Sequence, residues 1–330
     1  MLDLLKKQFT IRLLSPNITM NYKERIFEAW QFTQNNKKLI RWYGFIPALL
    51  STIVGIGYVT YQILAFKSSP LFDDAPQSFA YVVVTTILNF IRDNIELTLP
   101  LIITGIVLAI LYFLLPVLLD AAMIQVITRK RHGQKITLPE GLKFGMLRFL
   151  PYLEYTLLMG TFSFIAISAE AAFILRNLGP EVFKTLLPII GIILVVTFIL
   201  HILFTFAEYY IVIDETGVMN GIVKSCTLVI LNLQQTFMLV ILMLIIAVRI
   251  LMQIVLVILI PALIVVGLAY YASVSLPEYG LIILGILSGI FLLFASYLAA
   301  VVHVFSVAVW TYTFLDFTSA KVITAREIHS

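Results

Sequence analysis

Between residues 42 and 317 the chain is a succession of long apolar runs, and its charged residues gather in the short segments between them. An α-helix rises about 1.5 Å per residue, so about 20 apolar residues cross a hydrocarbon core about 30 Å thick. Six runs reach that length: 42–66, 98–127, 150–175, 182–213, 236–271 and 279–317. Lipid offers the backbone no hydrogen-bond partner, so each run is predicted to be a helix. The last two are longer than a bilayer needs and must tilt, kink or project from it, with Pro261 the natural kink in the fifth. A further stretch, 78–91, lies between Asp73-Asp74 and Arg92-Asp93. As a helix it would extend only about 21 Å, so it is predicted to be an interfacial or re-entrant helix; were it to span, the count would be seven and the termini would fall on opposite sides.

A second pattern sits beside three of the runs. Leu138, Leu142, Met146 and Phe149 share one helical face, with Gly141 and Gly145 nearby; Thr137 and Glu140 have the spacing of a capping box, and Pro139 is tolerated in a first turn. The arrangement returns at Val218, Ile222, Cys226 and Val229 with Gly221 and Ser225, and again at Tyr22, Ile26, Trp30 and Thr33 with Ala29. Such helices lie in the headgroup zone and set the entry angle of the span that follows. A surface helix, a span outward and a span back would then form a unit present three times, at about 22–127, 137–213 and 217–317. The ordinary alternative is that a period of 3.6 belongs to any helix beside a membrane. The resulting expectation is an all-α polytopic bundle: a basic segment 1–41 with an amphipathic helix, a six-span domain 42–317 and a tail 318–330.

Composition agrees with this. Of 330 residues 61% are hydrophobic and 12% charged, against about 25% charged in soluble domains, so a wholly water-soluble enzyme or nucleic-acid binder is excluded. Of the 22 Lys and Arg, seventeen fall in the N-terminal segment, the stretches 128–149 and 214–235, and the C-terminal tail; four fall on the opposite side, and Arg249 lies within a span. The positive-inside bias predicts both termini in the cytoplasm, with the first span also serving as the targeting signal.

Two stretches resemble a family. One is the span end near Asp120, Arg129 to Gly133, and the helix beginning at Thr137. The other is Phe206-Ala-Glu-Tyr-Tyr-Ile-Val-Ile-Asp-Glu-Thr-Gly217 followed by the helix with Lys224-Ser225. Together they resemble the bacterial multi-pass proteins of the glycerophosphodiester phosphodiesterase membrane-domain and YciC-like group. The resemblance implies a membrane domain of a bacterial inner membrane. No region is long and polar enough to hold the soluble phosphodiesterase domain sometimes fused to it, and no catalytic residue is carried over.

Ionisable residues inside spans are expensive and mark candidate sites. Glu170 and Arg249 fall at depths that could match after tilting, as an ion pair or as part of a solute or headgroup site. His201 and Glu208, seven apart on one predicted helix, could combine with His303 in the sixth span to ligate a metal or relay protons; the plainer expectation is hydrogen-bonded interhelical histidines. Arg129, Lys130 and Arg131 are candidate contacts for anionic headgroups. Gly55 and Gly57, and the GxxxG pair Gly285 and Gly289, are candidate close-packing positions. The single cysteine, Cys226, excludes an intrachain disulfide. P-loop, Gly-x-Ser-x-Gly and HExxH patterns are absent, so no catalysis and no cofactor is predicted. The sequence points first to a non-catalytic membrane scaffold or accessory domain whose partners are the bilayer and either another membrane protein or a second copy, with no nucleic acid. The alternatives are a transporter or channel with a polar path lined by Glu170, Arg249, His201 and Glu208, or, further off, a lipid-modifying enzyme.

Overall fold

The computed structural model describes residues 22–67, 79–250 and 277–329. The chain enters as α1 (Tyr22–Asn35) and continues as α2, which starts at Lys37–Leu39, widens into a π turn at Ile40–Gly44 and runs on as Phe45–Lys67. A short helix α3 (Phe79–Asp93) meets α4 (Ile95–Arg131) at Asn94. Next come α5 (Leu138–Thr161), α6 (Phe164–Leu203), α7 (Ala207–Val212) and α8 (Val218–Leu231). The bundle ends with α9, described over Leu233–Ile250, and the 53-residue α10 (Pro277–His329).

Five stretches among the described residues are long and apolar enough to cross a membrane: Lys37–Phe66, Ile95–Arg131, Leu138–Leu203, Leu233–Ile250 and Gly285–Ser319. The sequence predicts six, and the difference lies in Leu138–Leu203, a 66-residue run. It is not one rod. Gly179 has φ 85° and ψ 169°, a conformation open to glycine alone, and Pro180 starts a new helical leg. Phe164 and His201 would lie about 55 Å apart on a straight helix; their rings are 5.4 Å apart. The chain therefore doubles back at Gly179. The fifth predicted span is described only through Ile250, and Pro261 lies outside the described residues. α3, with 15 residues, is too short to cross, and α10 continues past 317 without a break to His329.

Burial is turned inside out relative to a soluble protein. Only 6% of the most apolar window is buried in the first three stretches and 22% in the last. On α4 the consecutive residues Leu101, Ile102 and Ile103 are all exposed. Successive residues project about 100° apart, so this half of the helix meets no protein on any side. Hydrocarbon is the only solvent that leaves such a surface at rest. Hydroxyls along the rods turn inward, as Thr52, Thr128, Ser296 and Thr311 each donate to the carbonyl four residues earlier.

Packed protein is concentrated at the end that carries Arg129–Arg131, the basic end. One cluster joins Ala29 of α1, Ile40 and Tyr43 of α2, Met123 and Val126 of α4, and Val304 and Ala308 of α10. A second joins Ala121 and Ile124 of α4 with Tyr152 of α5, Phe206 to Val212, Val229 of α8 and Phe314. Tyr210 meets Phe314 edge-on at 4.8 Å, within the range of favourable aromatic pairs. Helices α4 and α10 belong to both clusters and act as the shared wall.

The amphipathic helices dock through their small residues. A Cβ on Gly145 would lie 2.7 Å from the Ala122 backbone nitrogen, so α5 rests directly on the α4 main chain. Gly221 sits against Ile211 and Ala207, and Ala29 is fully buried. The capping box expected at Thr137 and Glu140 is formed. A Cβ added to Gly55, Gly57, Gly285 or Gly289 would meet nothing within 4 Å, so among the described residues these glycines mediate no packing.

Candidate functional site

Three return segments bring polar side chains together at the basic end. Asp120 comes from α4, Glu208 from α7 and His303 from α10. His303 donates from Nε2 to Asp120 Oδ1 at 2.7 Å. Glu208 Oε2 accepts from the Tyr152 hydroxyl at 3.2 Å and lies within electrostatic reach of both other groups. Tyr155, one turn beyond Tyr152 on α5, donates to the Phe204 carbonyl at 3.0 Å. Among the described residues no three His, Cys, Asp or Glu side chains are grouped so as to hold a metal ion. The arrangement is a hydrogen-bonded helix clamp, with one carboxylate facing space.

That space is a cleft of about 370 Å³ between the folded-back leg of α6, α5, α9 and α10. Glu208 and His201 both line it, though not as one helix face. The helix breaks after Leu203, and a side chain from another element repairs the break: Ser225 of α8 donates to the Leu203 carbonyl at 2.8 Å and accepts from the Phe206 N–H at 3.0 Å. Two orphan backbone groups are thus satisfied by one hydroxyl in a buried setting where leaving them unpaired would be costly. His201 points Nδ1 at the Thr197 carbonyl, 3.0 Å away.

Glu170 and Arg249 do not join this site. Both side chains are exposed, and they form no ion pair with each other. Matching depth does not fix rotation about the helix axis: the first leg of α6 buries Ile167, not Glu170. A cation that the sequence pattern passed over, Arg176, is buried just before the Gly179 turn. It donates to Gln62 Oε1 at 3.2 Å and the Tyr61 hydroxyl at 3.3 Å, and its guanidinium lies 5.5 Å from the Tyr61 ring.

The basic tract has internal partners while staying partly exposed. Arg129 lies 3.7 Å over the Phe144 ring, and Lys130 donates to Asn36. Arg131 donates to Asp316 at 2.7 Å and to the Tyr312 carbonyl at 2.8 Å. Asp316 also takes Arg25 of α1, at 2.7 Å, so one carboxylate ties the first, fourth and last helices together. In the loop after α7, burial pushes the Asp214 carboxyl above its usual range, with Lys224 opposing, and Glu215 pairs with Arg148 of α5.

The Asp120–His303 contact should be measurable. Asp120→Asn and His303→Gln, singly and together, are expected to give a coupling of about 1–2 kcal/mol in thermal or denaturant unfolding, the range of a charge-assisted hydrogen bond with some residual exposure. Additive effects would show that the contact does not support the fold.

No family model, curated protein or solved structure matches this chain. The site therefore has to be judged on its own geometry. Sequence spacing found His201, Glu208 and His303; Tyr152 and Tyr155 carried a weaker signal, being three apart on the face that continues from Phe149.

Proposed function

We propose that this chain is a non-catalytic membrane scaffold or accessory domain. Its basic end is the rigid platform, and its far halves are surfaces for lipid or for another membrane protein. The observation that carries this is the placement of burial: packed side chains at one end, apolar rods exposed on every side at the other. A transporter needs a continuous polar path, and two of the four residues suggested for one, Glu170 and Arg249, face outward.

In this reading the chain crosses the bilayer six times, with the two legs joined at Gly179 counted separately, and both termini lie in the cytoplasm. The Phe164–His201 ring contact supports the first point and the excess of Lys and Arg at the basic end the second. The three-unit repeat is supported by Ala29, Gly145 and Ser225, the corresponding small residues, all buried against the basic end of a span. Arg129, Lys130 and Arg131 keep enough surface to meet anionic headgroups while holding their internal partners. The resemblance to the glycerophosphodiester phosphodiesterase membrane-domain group supports a bacterial inner membrane.

Single cysteines at successive positions from Leu101 to Leu111, on a Cys226→Ala background, test the function. They are expected to stay unreactive to a water-soluble maleimide at every position in intact membranes, because a thiol in hydrocarbon does not ionise, and to react once the protein is unfolded in dodecyl sulfate. Water-soluble labelling that recurs every 3.6 residues would mean a water-lined path and would favour the transporter.

A further inference from the structure

The cleft beside Glu208 has a composition that selects by charge. Five of its eleven lining residues are aromatic: Tyr155, Phe164, Phe198, Phe204 and Trp310. Among the described residues Glu208 is its only carboxylate, and no Lys or Arg lines it. Apart from the Trp310 indole N–H, its other polar side chains can accept. The Thr197 carbonyl can only accept, so His201 Nδ1 carries a hydrogen, which leaves Nε2 as an acceptor when the ring is neutral. Thr205 spends its hydroxyl hydrogen on the His201 carbonyl at 2.8 Å and keeps its oxygen lone pairs. Aromatic faces carry negative potential and bind ammonium groups, more strongly where water is excluded. Among the described residues an anion would meet a carboxylate, ring faces and lone pairs, with the Trp310 N–H a donor and no Lys or Arg to offset them.

Position narrows the occupant further. His201 is 22 residues beyond the Gly179 turn, about 33 Å along a helix, so the cleft lies one hydrocarbon thickness from the turn, at the level of lipid headgroups. From the cleft the exposed apolar face of α6 runs back toward the turn through Phe198, Val195 and Ile192. A head in the cleft and a chain along that face match one kind of molecule. We infer that the cleft of Glu208, His201 and Trp310 binds a membrane amphiphile with an ammonium head, the alkyl chain lying along α6. The inference rests on the cleft, its distance from the Gly179 turn and the apolar face of α6; it shares with the proposed function only the crossing of the bilayer by that leg and does not depend on the scaffold reading.

Trp310 makes the test direct. Trp30→Phe with Trp42→Phe leaves it as the one tryptophan of the chain's three. The full-length variant in maltoside micelles at mildly alkaline pH is titrated with two hexadecyl probes carrying a nitroxide on the head, one a quaternary ammonium and one a phosphate monoester. The ammonium probe is expected to quench Trp310 saturably at about tenfold lower concentration than the phosphate probe. Glu208→Gln should bring the two curves together, and Glu170→Gln, altering a carboxylate outside the cleft, should leave them apart. Should Glu208→Gln fail to fold, competition decides. Unlabelled hexadecyltrimethylammonium must relieve the quenching in the parent protein where hexadecyl sulfate does not. Equal quenching by both probes, an unchanged preference in folded Glu208→Gln, or relief by the sulfate would each overturn the inference.

Discussion

Gly145→Leu is expected to leave almost no monodisperse protein after detergent extraction, whereas Gly191→Leu, also within a helix, should extract like the parent. The two glycines differ in what surrounds them. At Gly145 even one added carbon would sit 2.7 Å from the Ala122 nitrogen and 2.8 Å from its Cα, closer than a Cβ tolerates, and the obstacle is backbone that cannot rotate away. Gly191 has nothing within 4 Å. Overpacking a tight contact costs about 1–3 kcal/mol when side chains can shift, and a main-chain obstacle puts this case at or above the upper end. The loss should spread, because α5 carries Tyr152 and Tyr155 and is tied to α2 where the Tyr43 hydroxyl donates to the Leu138 carbonyl. Gly145→Ala is the graded control and should show an intermediate melting temperature by fluorescence-detected size exclusion. A leucine variant as stable as the parent would mean that α5 and α4 do not meet at this residue.

Asp316→Ala should release the N-terminal helix. The Asp316 carboxylate is the only acidic group within ion-pair distance of Arg131 among the described residues, and it also holds Arg25. Removing it leaves Arg131 without a counter-charge and Arg25 with only Glu28, 2.8 Å away, the two guanidiniums each under a third exposed. Losing one partner of a buried pair costs about 3–5 kcal/mol; with the residual exposure here about 2 kcal/mol is expected. The readout is trypsin cleavage at Lys23 and Arg25 in intact inverted vesicles, slow in the parent and fast in the variant, with the far ends of the spans unaffected. Arg25→Met with Arg131→Met in the same background should slow cleavage of the remaining sites again, since it removes the stranded Arg131 charge and its repulsion with Arg25. If cleavage in Asp316→Ala matches the parent, the contacts of Trp30 with Phe305 and Phe32 with Tyr312 hold α1 without help from charge.

Much of this architecture could be read from residue patterns, and the failures have a common cause. The apolar runs located the rods because lipid imposes length and hydrophobicity on each segment separately. The gap between the predicted spans 150–175 and 182–213 contains Gly179, where the chain reverses, because Gly-Pro is a local signal. The pattern on the amphipathic faces includes Gly145, Gly221 and Ala29 only as recurring small positions; the structure makes them contact points. Tertiary facts were not accessible in the same way. The helix break after Leu203 is stabilised by Ser225, and nothing near Leu203 announces it. Asp120 and His303 lie 183 residues apart, and Arg249 and Glu170 looked like partners only because depth was used where azimuth decides. The glycine pair at Gly285 and Gly289 has the spacing of a close-packing motif but no neighbour to pack against among the described residues.

The way the first membrane helix is seated has a consequence for biosynthesis. Gly44, in the π turn of α2, lies against Ala300 and Val304 of the last helix, about 250 residues later in the chain. Ribosomes add about 5–20 residues per second, so that surface waits for about 10–50 seconds after it emerges. During this delay the opening rod can already meet α4 and α5, but its notch at Gly44 has no mate. Insertion and final assembly are therefore separate events in time, and a helper that shields the notch at Gly44 would act in the interval between them.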